Sequence, residues 1–190
     1  MLDRMPVDTA KRRFTADEYQ RMGDAGIFPP GDRVELIDGE ILTMSPIGSA
    51  HAAAVNRANR LLVLATDGRA LVAVQNPIRL NPFSEPQPDL VLLRPRDDFY
   101  RSAHPGPADV LLVIEIAETT LRYDRDVKAP LYARNGIGEY WLVDLTGHTV
   151  TLHTAPDNNA YRDVATLARG QMLRPLQLPD CAITVDDLLV

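Results

Sequence analysis

Two short apolar runs, each containing one acidic residue, constrain this chain more than any other feature. They are PDLVLL (residues 88–93) and DVLLVIEIA (residues 109–117). Runs this apolar indicate strands that are buried on both faces in the middle of a sheet. A carboxylate buried there costs several kcal/mol unless it is paired or binds a metal ion. Asp89 in the first run and Glu115 in the second therefore predict a cation beside them.

The alternation of side chains along a strand predicts where these acids point. Glu115 should share one face of its strand with Leu111, Val113 and Ala117. If the two strands are neighbours, Asp89 and Glu115 can converge on one Mg²⁺ or Mn²⁺, ions that favour oxygen ligands. Their carboxyl oxygens should then lie within about 5 Å of each other. Without a metal, crowding should raise the pKa of at least one of the acids.

The bulk composition is that of a single cytoplasmic globular domain. A chain of 190 residues with 45% apolar and 24% charged residues is long enough for one core. We expect one domain over residues 1–190, with residues 1–12 as a flexible arm. No apolar run is long enough to span a membrane, and the N-terminus lacks the apolar core of a signal peptide. A lone Cys181 excludes an intrachain disulfide and a thiolate metal cluster.

The net charge of −6 argues against tight, lasting binding of nucleic acid, since DNA-binding surfaces are usually basic. The basic residues themselves are unevenly chosen. Of the twenty, all but Lys11 and Lys128 are arginine. A lysine in this chain is therefore an uncommon choice over arginine.

A hairpin signal brings a third acid into consideration. The sequence RVELIDGEILTM places Asp38-Gly39 between two apolar-rich arms, which is a strong signal for a tight β-hairpin. Glu35 in the first arm has two interpretations. It is either a third acid of the metal site or an edge-strand residue that points to water. The spacing does not distinguish between them.

Helical periodicity predicts two longer helices around the strands. Residues 49–65 fit a helix whose buried stripe is headed by His51, which is either a satisfied core histidine or a catalytic one. Thr119 and Thr120 can start a helix through about Ala133, kinked or divided at Pro130. Thr15 with Glu18 forms a capping-box pattern for an earlier, shorter helix.

Further short strands are predicted at residues 70–74, 77–80 and 139–144, the last continuing into a second hairpin. A long loop follows Leu93 and combines three arginines with Phe99 and Tyr100. Such a basic and aromatic mixture suits contact with phosphates and bases, although a solvated surface loop is the simpler interpretation.

Taken together, these motifs resemble the Uma-type family of restriction endonucleases within the PD-(D/E)XK superfamily. The resemblance covers about residues 14–189 and rests on RVELIDGEIL, SAH, QPDLVLL, VIEIAETT and DRDVKAPLYARNGIGEYWLVD. It implies an α+β fold with a restriction-endonuclease-like core, a mixed β-sheet flanked by helices, and additional N- and C-terminal hairpins. It also implies metal-ligand roles for Asp89 and Glu115, with Glu35 and His51 near the pocket.

The chain departs from the superfamily pattern at one position. The lysine expected two residues after Glu115 is replaced by Ala117. The family is similar in placing a lysine on the following helix, and Lys128 occupies that place here. In a chain that otherwise prefers arginine, a lysine at this place suggests a need for its compact ammonium group. An ordinary surface lysine is the alternative, and Arg125, one turn earlier, is the candidate substitute if Lys128 points away.

The expected activity is Mg²⁺- or Mn²⁺-dependent hydrolysis of phosphodiester bonds in DNA, by Glu35, His51, Asp89, Glu115 and Lys128. DNA is the expected partner, held weakly or transiently; no membrane partner is expected, and a homodimer is left open. Two alternatives stay open. One is an inactive nuclease-fold module that binds nucleic acid or a protein partner, and the other is a metal-dependent hydrolase of another phosphoester.

Overall fold

The structure is a computed structural model that describes residues 10–189. In chain order its elements are α1 (Ala16–Asp24), β1 (Val34–Ile37), β2 (Glu40–Thr43), α2 (Ser49–Thr66), β3 (Leu71–Val74), β4 (Leu90–Leu93), a 3₁₀ turn (Pro107–Asp109), β5 (Val110–Ala117), α3 (Leu121–Tyr123), a π-helical segment (Asp124–Lys128), α4 (Ala129–Arg134), β6 (Glu139–Asp144), β7 (Thr149–Asp157), β8 (Ala160–Ala168), β9 (Met172–Leu173), β10 (Ile183–Thr184) and α5 (Val185–Leu188).

The centre of the molecule is a six-stranded mixed sheet in the order β3-β4-β5-β6-β7-β8. All neighbouring strands are antiparallel except β5 and β6, which are parallel. A parallel pair needs a crossover connection, and residues 118–138 supply it with α3, the π-helical segment and α4. β1 and β2 form a separate hairpin, and β9 pairs with β10. The expected α+β architecture with a mixed sheet flanked by helices is confirmed.

The sheet buries apolar side chains on both faces, as the continuous apolar runs predict. On one face, α2 and α5 pack through residues such as Ala58, Leu62 and Leu188 against Leu112 and Ile114. On the other face, α4 packs through Leu131 and Tyr132 against Val113 and its neighbours. All of β5 is buried. Since β5 is central and covered on both faces, any polar group on it must find its partner inside the protein.

The predicted face of β5 is wrong at one position. Val113 and Ala117 pack in one core cluster as expected, but Leu111 packs in the opposite one. A β-bulge causes this, because the pairing of β4 with β5 steps from Leu112 to Val110 and leaves Leu111 unpaired. The bulge lies before Glu115, which keeps its predicted face.

One other expectation differs from the structure. Residues 77–80 form no strand, because their backbone makes isolated contacts instead of a ladder. Residues 1–9 of the predicted flexible arm lie outside the described residues, and residues 10–12 are exposed and irregular. Within residues 10–189, no helix is long and apolar enough to cross a membrane.

The hairpin β1–β2 turns at the predicted Asp38-Gly39 dipeptide. Asp38 has a φ of 51° and Gly39 a φ of 82°, as a type I′ turn requires at its two central positions. Gly39 also lies against the chain that precedes α1, where an added Cβ would be 2.6 Å from the Cβ of Arg13. The turn therefore needs glycine for both its φ and its close packing.

We expect Gly39→Ala to lower the free energy of unfolding by about 2–3 kcal/mol, because left-handed strain and a steric clash combine there. Gly68→Ala is the matched control. Its φ is +75° and no atom lies within 4 Å of the added Cβ, so only the strain of about 1 kcal/mol should appear. Urea denaturation of both variants measures the difference, and equal losses would contradict the packing argument.

Candidate active site

A cleft of about 500 Å³ lies between the hairpin β1–β2, the start of α2, the end of β5 and the helical crossover. All five side chains predicted from the sequence line it: Glu35, His51, Asp89, Glu115 and Lys128. Four of them are nearly fully buried, with 2–7% of their surface exposed. The candidate residues, which are far apart in the sequence, therefore converge on one site.

Asp89 and Glu115 face each other across two neighbouring strands. The pairing of Leu90 with Ile114 places Asp89, one residue before β4, opposite Glu115. The backbone N–H of Asp89 donates to Glu115 Oε2 at 3.3 Å, and the backbone N–H of Ile116 donates to Asp89 Oδ2 at 2.9 Å. Strand pairing by itself therefore places the two carboxylates next to each other.

Asp89 is held in its ionised form. His51 Nε2 lies 3.0 Å from its Oδ2, and the side-chain amide of Gln75 donates to its Oδ1 at 3.2 Å. Burial alone would raise the pKa of Asp89, but the hydrogen bonds from His51, Ile116 and Gln75 outweigh it and lower that pKa. The same hydrogen bond to Asp89 raises the pKa of His51, against the opposing effect of burial. His51 therefore contacts the acid directly, and its Nδ1 is buried without a partner.

Lys128 lies between two carboxylates in the cleft. Its Nζ is 3.0 Å from Glu115 Oε1 and 3.2 Å from Glu35 Oε2. Burial favours the neutral amine, yet the charges of Glu115, Glu35 and Asp124 outweigh it and raise the pKa of Lys128 well above its usual value. The ammonium is therefore fully charged at neutral pH.

Arg125, the substitute considered from the sequence, points away from the site. It is exposed and pairs with its neighbour Asp126 at 2.7 Å.

Glu35 is buried and faces inward, so the edge-strand interpretation is wrong for it. Besides Lys128, it accepts hydrogen bonds from the Tyr123 hydroxyl at 3.1 Å and from the backbone N–H of Gln87 at 3.2 Å. Three donors on one carboxylate fix its orientation in the cleft. Glu35 thus anchors Lys128 from the side opposite to Glu115.

Glu115 is the acid of the cleft whose pKa is shifted most. Its Oε1 accepts from Lys128 and from the Tyr132 hydroxyl at 2.7 Å. Burial nevertheless raises the pKa of Glu115 to about 8, opposed by the Lys128 charge and reinforced by the charges of Asp124 and Asp89. Burial is the main cause of this shift, and the crowding of acids predicted from the sequence is a lesser one. Such shifts are common where a site is built to bind a cation or to move protons.

Sequence patterns missed four residues that line or support this site: Gln75, Tyr123, Asp124 and Tyr132. Asp124 lines the cleft with 4% of its surface exposed, and burial raises its pKa while Lys128 opposes the shift. Asp124 was not predicted, because nothing in a regular helix at this place requires its side chain to be buried. The π-helical segment from Asp124 to Lys128 turns both ends of that stretch toward the cleft. No sequence pattern marks Gln75. Only its backbone conformation is unusual, with a left-handed φ of 51°.

The donor set fits a hard divalent cation of the Mg²⁺ type. Asp89 and Glu115 offer carboxylate oxygens from neighbouring strands at the floor of the cleft. Within residues 10–189, no group of three or more His, Cys, Asp or Glu side chains is arranged to hold a metal. Mg²⁺ is commonly held by one or two carboxylates, with water and substrate phosphates completing its shell. Two protein ligands are therefore sufficient for this ion.

The raised pKa of Glu115 predicts how the metal-free protein responds to pH. Its folded pKa of about 8 exceeds the unfolded value of 4.5, so the native state binds more protons between these values. Stability should therefore fall by a few kcal/mol as the pH rises from about 5 to 8. Glu115→Gln should flatten most of this decline, while Glu118→Gln, an exposed acid just past the same strand, should not. Denaturation in EDTA at several pH values measures it, and an unchanged slope in Glu115→Gln would refute the assignment.

A family model named Uma2 and described as "Putative restriction endonuclease" matches residues 16–186. A structure described as a "putative nuclease belonging to DUF820" from Anabaena variabilis ATCC 29413 is similar in fold, with a TM-score of 0.67. The two chains share 16% identity over 92% of this chain and 97% of that one. No curated protein gave a significant match. With nearly its whole length matched, the chain belongs to the Uma2 family of restriction-endonuclease-like proteins.

Proposed function

We propose that this protein is a divalent-metal-dependent endonuclease that hydrolyses phosphodiester bonds in DNA. One observation carries the proposal: Asp89 and Glu115 are opposed on neighbouring strands in a cleft, with the Lys128 ammonium 3.0 Å from Glu115. Opposed carboxylates suit a cation, and a positioned ammonium suits a phosphate. The Uma2 description, "Putative restriction endonuclease", supports the same reaction class.

Asp89 and Glu115 would hold a Mg²⁺ or Mn²⁺ ion. Such an ion, when bound, lowers the pKa of a coordinated water and neutralises charge on the scissile phosphate. The protein's own part is to keep Asp89 ionised and to hold both ligands in place. His51, Gln75 and the N–H of Ile116 do this for Asp89, because their hydrogen bonds favour its charged form. Tyr132 and Lys128 fix the orientation of Glu115.

Lys128 would stabilise the negative charge that develops on the phosphate or orient the attacking water. A side chain that does this must be charged and held in place. The pKa of Lys128 is raised by the three acids around it, and Glu35 fixes its position with a contact of 3.2 Å. Glu35 in turn is fixed by Tyr123. Glu35 is therefore a positioning residue for Lys128, whereas Lys128 is the group that faces the substrate.

His51 is placed to hold a proton beside the site. Its Nε2 faces Asp89, and its pKa is raised by that hydrogen bond. In the proposed reaction its main role is to orient Asp89, and its first-turn position on α2 keeps it at the wall of the cleft.

A second candidate is a non-catalytic module that uses the nuclease fold to bind nucleic acid or a protein partner. The contacts of Lys128 favour it to some extent, because its ammonium already compensates Glu35 and Glu115 without a metal ion. The net charge of −6 also favours a protein without a strong grip on DNA. Metal binding and cleavage distinguish the two candidates.

We expect Mn²⁺ to stabilise the wild-type protein and Asp89→Asn to abolish that effect. At a Mn²⁺ concentration of about 100 times Kd, linkage stabilises by about 2.7 kcal/mol, or about 5–10 °C in Tm for a chain of this size. Asp126→Asn is the matched control, since Asp126 is an exposed acid paired with Arg125. Scanning calorimetry with and without Mn²⁺ measures the shift. No shift in the wild type would support the non-catalytic module.

We expect Lys128→Ala to lower the cleavage rate by about 10²–10³, the usual effect of losing one positioned charge stabiliser. Lys128→Arg should rescue poorly, because a planar guanidinium cannot replace the compact ammonium. Arg125→Ala, on the same helical segment but exposed, should cleave normally. Single-turnover cleavage of plasmid and single-stranded DNA at saturating Mn²⁺ measures the rates.

The Lys128 variants need a stability check, because removal of one partner from a buried ion pair typically costs about 3–5 kcal/mol. Circular dichroism below the measured Tm of each variant shows whether it is folded during the assay. A folded Lys128→Ala protein that cleaves at the wild-type rate would contradict the role of Lys128.

A further inference from the structure

The cleft has two chemically different sides. Its floor carries the acids and Lys128, whereas the strand and loop at residues 42–47 form an apolar wall. This wall consists of Leu42, Met44, Pro46 and Ile47. Ile47 is 41% exposed, so an apolar surface is open to a ligand beside the charged floor of the cleft. An apolar wall beside a phosphate-directed floor is suited to a ligand with one apolar face and one anionic group.

The charge of the cleft limits how many phosphates it can accept. Among the described residues its lining includes two side chains of Lys or Arg, Lys128 and Arg33. Against them stand five carboxylates: Glu35, Asp89, Glu115, Glu118 and Asp124. Duplex DNA presents one negative charge about every 1.7 Å along its axis, and binding it requires several cations. A site this acidic can compensate the scissile phosphate but not a row of neighbours.

The volume of the cleft agrees with a single nucleotide. About 500 Å³ lies in the range of pockets that enclose one small organic molecule. In a duplex, both faces of each base are stacked on neighbouring bases and cannot reach a protein wall. In a single strand, a base can turn out and lay its face on apolar or aromatic side chains.

We propose, on the basis of the proposed nuclease function, that the cleft selects single-stranded DNA. One unpaired nucleotide enters it, its base packs on the wall of Met44, Pro46 and Ile47, and its phosphate lies over Asp89 and Glu115. The flanking phosphates leave the acidic cleft and point to solvent, which an unpaired strand allows because its backbone is flexible. Selectivity for the unpaired state therefore comes from the wall and from the scarcity of cations, without base-specific hydrogen bonds.

The first experiment separates the reaction from the substrate preference. Bis(p-nitrophenyl) phosphate, a small diester with Mn²⁺, tests hydrolysis itself. A 20-nucleotide strand, alone and annealed to its complement, tests the preference as kcat/KM. We expect hydrolysis of the diester and at least tenfold faster cleavage of the single strand. No hydrolysis of any diester would overturn the proposed function together with the preference, whereas hydrolysis with equal or faster duplex cleavage would overturn the preference alone.

The second experiment tests the wall with two isoleucines in different places. Ile47→Asp should lower kcat/KM for the single strand by about tenfold, because a carboxylate repels the nucleotide and removes the contact of the base. Ile27→Asp is the control, since Ile27 is 57% exposed and does not line the cleft. Neither change should alter Tm by more than about 2 °C, as both side chains are at the surface.

A binding measurement gives a readout that does not depend on turnover. Fluorescence anisotropy of a labelled single strand in Ca²⁺ should show weaker binding to Ile47→Asp than to Ile27→Asp, by about the same tenfold factor. Ile47→Leu should bind like the wild type, because it keeps the apolar surface. Equal affinities of Ile47→Asp and Ile27→Asp for the single strand would overturn the role of the wall.

Discussion

The burial of Glu115 is the constraint on which the rest of the site depends. An ionised carboxylate in the middle of a covered sheet is costly unless cations and donors surround it. Here the compensation comes from Lys128, Tyr132 and a backbone N–H. It is incomplete, since burial still raises the pKa of Glu115 to about 8. An additional cation would therefore stabilise the ionised form of Glu115. The cost of burying this acid is offset by the apolar packing on both faces of the sheet.

The crossover between β5 and β6 supplies that compensation through a local irregularity. In a regular α-helix, residues four apart lie on one face but are offset by about 40° around the axis. The π-helical segment Asp124–Lys128 widens the turn, and both of its end residues are buried at the cleft. Arg125 and Asp126 between them remain exposed and pair with each other. π-helical turns occur often at functional sites, and this one places an acid and the ammonium together.

The sequence predicted the parts of the site that depend on strand periodicity and on residue choice. Asp89 and Glu115 were predicted because an acid in a buried apolar run has few explanations. Lys128 was predicted from the family resemblance, with support from the preference for arginine elsewhere in the chain. The β-bulge at Leu111 and the π-helical turn that buries Asp124 were not predicted. Both insert a residue into a regular period, and no local residue pattern marks them. The role of Glu35 depended on which face of a hairpin packs inward, which only tertiary contacts decide.

The acids of the cleft attract a cation, and for the same reason they repel a polyanion. A site that carries Glu118 and Asp124 in addition to its proposed ligands repels every phosphate except one that a cation and Lys128 neutralise. Binding strength must then come from contacts that carry no charge, and the apolar wall at Ile47 is a part of the cleft that offers them. Because such contacts are weak individually, the complex should be short-lived. A short-lived complex agrees with the net charge of −6 and with the proposed action on a single phosphodiester.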